Sequence, residues 1–153
     1  MYFITILLLL LIFPIASTAI EALAFGHTLS TSAMKWFVFW PMLRLLIAGI
    51  RQVMQPAFTA RDIFHIEDRS AFGIVRELGF ANFAMGALGA LSLVWPQLLF
   101  GGAFVGGIYY ALAGIGHIPH ARGNSKRTMA MISDLAIAIV LVLIAWKAFW
   151  ERG

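Results

Sequence analysis

The stretch LGFANFAMGALGALSLVWPQLLFGGAFVGGIYYALAGIGHIPHA, residues 78–121, decides the fold, because its 44 residues include no Asp, Glu, Lys or Arg. The hydrocarbon core of a bilayer is about 30 Å thick, and a helix of about 20 apolar residues crosses it. Trp95-Pro96 divides the stretch near its middle. The stretch therefore predicts two membrane-spanning helices joined by a tight hairpin.

The composition of the whole chain agrees with a membrane protein. Hydrophobic residues make up 61% of the 153 residues and charged residues 12%, against about 45–50% and about 25% in soluble proteins. The chain has no cysteine, which excludes disulfides and thiolate chemistry. In this setting the net charge of +4 indicates basic cytoplasmic loops rather than nucleic-acid binding.

Apolar segments recur along the chain with short polar connections, which predicts one transmembrane domain over residues 1–153. The segments cover about residues 1–25, 36–54, 78–95, 98–118 and 129–150. They lack the alternation of a membrane β-barrel. The predicted fold class is thus all-α: a polytopic transmembrane helical bundle of four to five membrane helices with a short cytoplasmic amphipathic connector. No Lys or Arg precedes Lys35, so the first segment is expected to stay as a membrane helix.

The second segment leaves two alternatives open. If it spans, Arg44 lies near the middle of the membrane and needs a partner, because a charge there costs at least about 2.5–3.5 kcal/mol. Glu21 is the candidate partner for an intramembrane ion pair with Arg44. Alternatively the segment lies along the cytoplasmic interface with its basic side chains extended to water. Spanning puts the N-terminus inside, and the interfacial placement puts it outside.

The basic residues predict the orientation, since cytoplasmic loops carry an excess of Lys and Arg. Two loops, around residues 55–76 and 119–128, lie on the same side, because the third and fourth segments cross and return. Together with Arg51 at the edge of the first loop, they contain seven of the 11 basic residues: Arg51, Arg61, Arg69, Arg76, Arg122, Lys126 and Arg127. Both loops are expected in the cytoplasm and the C-terminus outside, in a multi-pass protein of the cell's inner (plasma) membrane.

Small residues line the third and fourth segments and predict close helix packing. The positions are Gly86, Gly89, Gly102, Gly106, Gly107 and Ala111. Small side chains let helix backbones approach closely inside a membrane. Packing within the hairpin is the expected use of these positions, and a dimer interface is the alternative.

Four polar residues at the cytoplasmic ends of the last three segments form a candidate site: Glu77, Asn82, His117 and Asp134. Ionisable groups in spans face a bundle interior or a water-filled pocket. We expect Glu77 or Asn82 to hydrogen-bond His117, with Asp134 close enough to join. Such a cluster either fixes the bundle or serves as a proton relay or ligand pocket.

Several short motifs resemble a known family. They are Arg76-Glu77-Leu78-Gly79-Phe80-Ala81-Asn82, Gly86-x-x-Gly89, Ala113-Gly114-Ile115-Gly116-His117, Gly123-Asn124 and Asp134. This pattern is similar to a family of small bacterial integral membrane proteins of unknown function, related to the DoxX-like group, and covers about residues 76–150. The resemblance implies a four-helix bundle with the four candidate site residues on signature positions. It implies no established activity.

Two functions are compatible with the sequence. The first is an accessory or scaffolding helical bundle, without catalysis, in a homo-oligomer or larger membrane complex. The second is a small-molecule carrier, or a membrane enzyme for a lipid-soluble substrate such as a quinone, that uses the four-residue polar cluster. No cofactor and no metal are predicted, because no catalytic or haem-binding set is recognisable. The expected partners are the lipid bilayer and other membrane proteins, not nucleic acid.

Overall fold

The computed structural model describes residues 2–120 and 125–151, with Tyr2, His120, Lys126 and Arg127 described by their backbone only. The described chain is helical, and five of its helices are long and apolar enough to cross a membrane. Arg122 and Gly153 lie outside the described residues, as do Gly123 and Asn124. The predicted all-α membrane bundle is confirmed.

Five helices make up the bundle. Helix α1 begins as Tyr2–Leu7, passes through a π-helical segment at Leu8–Ile12 and continues as Phe13–Phe25. The others are α2 (Leu29–Met54), α3 (Ala71–Leu91), α4 (Leu99–His117) and α5 (Ser125–Trp150). Short 3₁₀ turns at Pro96–Leu98 and Ile118–His120 flank α4.

Helix α2 begins seven residues earlier than the apolar segment that predicted it. The Thr28 side chain accepts a hydrogen bond from the Thr31 amide, 3.2 Å away, and caps the helix. A hydroxyl at this position satisfies an amide that has no partner inside the helix. The polar Ser30, Thr31 and Ser32 thus belong to α2, although hydropathy places them outside the segment.

Helix α3 also begins seven residues early and ends four residues before its predicted limit. Arg76 and Glu77 lie within α3 as exposed residues. The hydropathy pattern therefore left the charged first turns of α3 out of the predicted segment. At the other end, the chain leaves the helix at Leu91, and a turn precedes Trp95-Pro96.

The connector between α2 and α3 is compact and partly helical. It contains Pro56–Phe58 and a π-helical turn at Thr59–Ile63. The Arg51 guanidinium lies 3.6 Å from the Phe58 ring centroid. Near α3, the Asp68 carboxylate accepts a hydrogen bond from the Ser70 amide at 2.9 Å, and this bond lowers the pKa of Asp68.

The helices pack mainly in pairs, α2 with α3 and α4 with α5, and α1 packs against α2. The core lies where α2, α4 and α5 meet, and its fully buried side chains include Val38, Met42, Tyr110 and Leu141. Helix α2 therefore supplies a central part of the core. This position supports the spanning alternative for α2 over placement at the interface.

Candidate functional site

A buried ion pair joins α2 to α5. Nη1 of Arg44 lies 3.0 Å from Oδ1 of Asp134, and the two side chains are 19% and 7% exposed. Arg44 lies ten residues before the end of α2 and Asp134 nine residues after the start of α5, so both are about 14–15 Å from the same end of the bundle. Each charge thus has a partner at its own depth.

Tyr110 of α4 lies beside this ion pair. Its hydroxyl donates a hydrogen bond to the carbonyl oxygen of Pro41, at 2.7 Å. Pro41 lies inside α2, and proline at this position removes a helical hydrogen bond within the span. The Arg44 guanidinium lies 5.7 Å from the Tyr110 ring centroid, within the range of a cation–π interaction. One tyrosine therefore contacts both the interrupted helix backbone and the buried charge.

His117 is the link between the ion pair and the exposed end of the bundle. Its Nε2 lies 3.8 Å from Oδ2 of Asp134, and its side chain is 36% exposed. The separation is longer than a hydrogen bond. The predicted proximity of His117 and Asp134 is confirmed.

The predicted hydrogen bond from Glu77 or Asn82 to His117 is wrong. Asn82 is buried, and its amide nitrogen donates to Oε1 of Gln52 on α2 at 2.8 Å. Glu77 is exposed on α3. The physical reason is the packing order: α3 has α2 as its main neighbour, while α4 packs along α5. Matching depths is therefore not enough to bring two residues together.

The predicted ion pair between Glu21 and Arg44 is also wrong. Oε1 of Glu21 lies 2.6 Å from Nζ of Lys35, and the Trp36 indole donates to the other carboxylate oxygen. Because α2 begins at Leu29, Arg44 lies 15 residues into it, whereas Glu21 lies four residues before the end of α1. The two depths differ by about 16 Å.

The small-residue positions pack inside the chain, but largely outside the α3–α4 hairpin. Gly86 and Gly89 of α3 lie against Leu46 and Met42 of α2. A Cβ on Gly106 would lie 2.5 Å from the Met42 sulfur. Three further positions complete the set: Gly102 lies against Gly89 of the hairpin, Gly107 against Val142, and Ala111 against the core.

Several residues of these contacts, Gln52 and Lys35 among them, were not among the sequence candidates. Gln52 and Lys35 each pair with a predicted residue, Gln52 with Asn82 and Lys35 with Glu21. Gln52 carried a signal that could have been used, since it is an amide within an apolar segment. Depth measured from the basic loops, instead of from the outer face, would have placed Arg44 and Asp134 at the same level.

Comparisons with family models, with curated proteins and with solved structures find no match. Within the part of the chain that the structure describes, no three His, Asp or Glu side chains form a group suited to a metal ion. The class of protein is therefore defined by the fold alone: a multi-pass helical membrane protein.

Proposed function

We propose that this chain is an accessory or scaffolding helical bundle of a bacterial inner membrane, acting without catalysis as a component of a homo-oligomer or a larger membrane complex. The observation that supports this proposal is the use of the polar groups in the spans. Arg44 with Asp134, Asn82 with Gln52, and Tyr110 with Pro41 each join one helix to another. Groups engaged in this way stabilise a bundle and leave its outer surface for partners.

The outer surface is suited to lipid and to other membrane helices. Large apolar side chains are exposed on several helices, among them Leu23, Ile139 and Leu143. Trp146 and Trp150 stack edge to face near the end of α5, with ring centroids 5.7 Å apart. Aromatic side chains are enriched where helices leave the hydrocarbon core. We infer that the C-terminal end of α5 sits at one membrane interface.

Mass measurement after mild extraction tests the scaffolding proposal. The chain has a mass of 16.9 kDa, and native mass spectrometry should show a multiple of that mass or a stable assembly with other membrane proteins. The same sample in a harsher detergent should dissociate to the single chain. A stable monomer in the mild detergent, with a small molecule bound in a defined cavity, would contradict the proposal.

A second candidate function is a small-molecule carrier or a membrane enzyme for a lipid-soluble substrate. Only two of the four predicted cluster residues support it, because Glu77 is exposed on α3 and Asn82 bonds Gln52 of α2. What favours it is the partly exposed His117 next to the buried Asp134, an arrangement that can pass a proton from water to a buried carboxylate. Mass spectrometry of co-purifying small molecules distinguishes the two functions, since a scaffold retains none at stoichiometric level.

The resemblance to the DoxX-related family remains part of this proposal. It does not distinguish the two candidate functions, because it implies no established activity. The proposed topology places the loops at 55–76 and 119–128 in the cytoplasm, with the C-terminus outside.

A further inference from the structure

An open groove between α1 and α2 contains charged side chains that the proposed function does not use. Its volume is about 440 Å³, and it is lined by Glu21, His27, Lys35 and Trp36, with Ile20 and Phe25 at its apolar edge. The turn between the helices shapes one end of this α1–α2 groove. Gly26 adopts a φ of 70° there, a left-handed conformation that lets α1 end and His27 follow directly.

The charged side chains of the groove lie near the ends of α1 and α2 that the turn at Gly26 joins. Glu21 is four residues before the end of α1, and Lys35 is six residues after the start of α2. Both therefore lie about 6–9 Å from the helix ends. Helix α2, with 26 residues, is about 39 Å long and exceeds the hydrocarbon thickness of about 30 Å by several ångströms at each end. These charges thus lie close to the boundary between acyl chains and head groups.

The two charges present a complementary pair to a ligand. The Lys35 ammonium bonds Glu21 at 2.6 Å and lies 5.1 Å from the Trp36 ring centroid. An ammonium has three donors and a carboxylate about four acceptor sites, so both groups retain capacity for a further partner. Lys35 is 31% exposed and Glu21 12% exposed. A ligand that carries an anion and a primary ammonium side by side would match both.

We propose that the α1–α2 groove binds the head group of a phosphoethanolamine lipid from the adjacent leaflet. The phosphate oxygens accept from Lys35, and the primary ammonium of the lipid donates to Glu21. The acyl chains follow the surface beside Ile20, which is 61% exposed and lies on the membrane-centre side of Glu21. A choline lipid carries the same phosphate but no N–H donor, so it cannot make the bond to Glu21.

Native mass spectrometry from nanodiscs tests the proposal on the full chain. In discs with equal phosphatidylethanolamine and phosphatidylcholine, the protein should retain the ethanolamine lipid about tenfold or more over the choline lipid, as expected for one additional charge-assisted hydrogen bond. Glu21→Gln should reduce this preference to about twofold or less, because a neutral amide accepts a weaker bond. Equal retention of the two lipids by the unchanged protein would overturn the proposal.

Two further variants keep the test independent of folding. Ile20→Trp fills the groove from its exposed edge and leaves the charges in place, so it should lower retention of the ethanolamine lipid without lowering thermal stability. Glu151→Gln is the matched control, because Glu151 pairs with Lys147 at 3.5 Å and Lys147 also donates to Ser30 at the start of α2. This control lies at the same end of the bundle and should retain the full preference. Retention that is unchanged in Ile20→Trp would contradict binding in the groove.

A soluble head group separates the lipid from a free phosphate compound. Glycerophosphoethanolamine added in excess has the same charges but no acyl chains. The proposal expects it to displace little bound lipid, because the apolar edge of the groove contributes to binding. Complete displacement at low concentration would assign the site to a soluble phosphate compound instead.

Discussion

The Asp134 carboxylate has two different neighbours, Arg44 at 3.0 Å and His117 at 3.8 Å. The guanidinium bond is short and mostly buried, whereas the imidazole is partly exposed. The first contact places two opposite charges together inside the bundle, where each favours the other. The second contact adds less, because it is longer and nearer water.

Removing one partner of the buried pair should therefore destabilise the bundle. We expect Asp134→Leu to cost about 3 kcal/mol, since it leaves the Arg44 charge buried without its carboxylate. The double variant with Arg44→Met should be more stable than Asp134→Leu alone. Thermal unfolding in a mild detergent, monitored by circular dichroism, compares four proteins: the original, the two single variants Asp134→Leu and Arg44→Met, and the double variant. A double variant as unstable as the sum of two single variants would contradict a direct coupling.

His117→Leu tests the second contact on the same scale. It should lower the unfolding temperature less than Asp134→Leu does, by an amount that corresponds to about 1 kcal/mol or below. Glu67→Gln is the matched control, because Glu67 pairs with Arg61 at 3.4 Å while 83% exposed. The control should unfold like the original protein. An effect of His117→Leu equal to that of Asp134→Leu would mean that the imidazole is essential to the pair.

At the scale of the helices, close backbone contact between α2 and α3 depends on missing side chains. A Cβ built on Gly49 would lie 2.5 Å from the Phe83 amide nitrogen and 2.7 Å from the Gly79 carbonyl oxygen. Both neighbours are backbone atoms and cannot turn aside as a side chain can. The helices would have to separate to accommodate any other residue here.

Gly49→Ala should thus destabilise the bundle by about 1–3 kcal/mol, the usual cost of overpacking. Gly73→Ala is its control, because a Cβ at Gly73 meets no atom within 4 Å and Gly73 also lies in a helix. The control should be neutral or more stable by about 0.5–1 kcal/mol, as alanine favours helix over glycine. Thermal unfolding measures both variants, and the midpoint of Gly49→Ala should be the lower. Equal unfolding midpoints would contradict the close contact between α2 and α3.

The same scale separates what the sequence predicts well from what it does not. Hydropathy identified five segments, and each corresponds to one long helix. It did not identify the helix starts at Leu29 and Ala71, because polar and charged residues occupy those first turns. The error at Leu29 shifted the estimated depth of Arg44 and led to the wrong partner. The pairing of α3 with α2 could not be predicted, since small residues indicate close packing without naming the neighbour.

At the scale of the whole molecule, the order of the five long helices assigns each connecting segment to one of the two ends of the bundle. One end holds the connector at residues 55–70 and the end of α4, and the other holds the turn at Gly26 and the end of α5. The Lys147 contact with Ser30 supports this assignment, since it joins the last turns of α5 to the first turn of α2. The start of α1 and the end of α5 therefore lie at opposite ends of the bundle.

The orientation of this bundle is a prediction from its basic residues, and reporter fusions test it. A C-terminal reporter that is active only in the cytoplasm should give no signal, because seven of the 11 basic residues lie in or beside the loops at the opposite end. The same reporter inserted after Glu67 in the exposed connector should be active and serves as the internal control. Because α2 spans in the five-helix arrangement, a fusion at the N-terminus should also report the cytoplasm. An active reporter at the C-terminus together with an inactive one in the connector would show the opposite orientation in the membrane. The α1–α2 groove would then face the cytoplasmic leaflet.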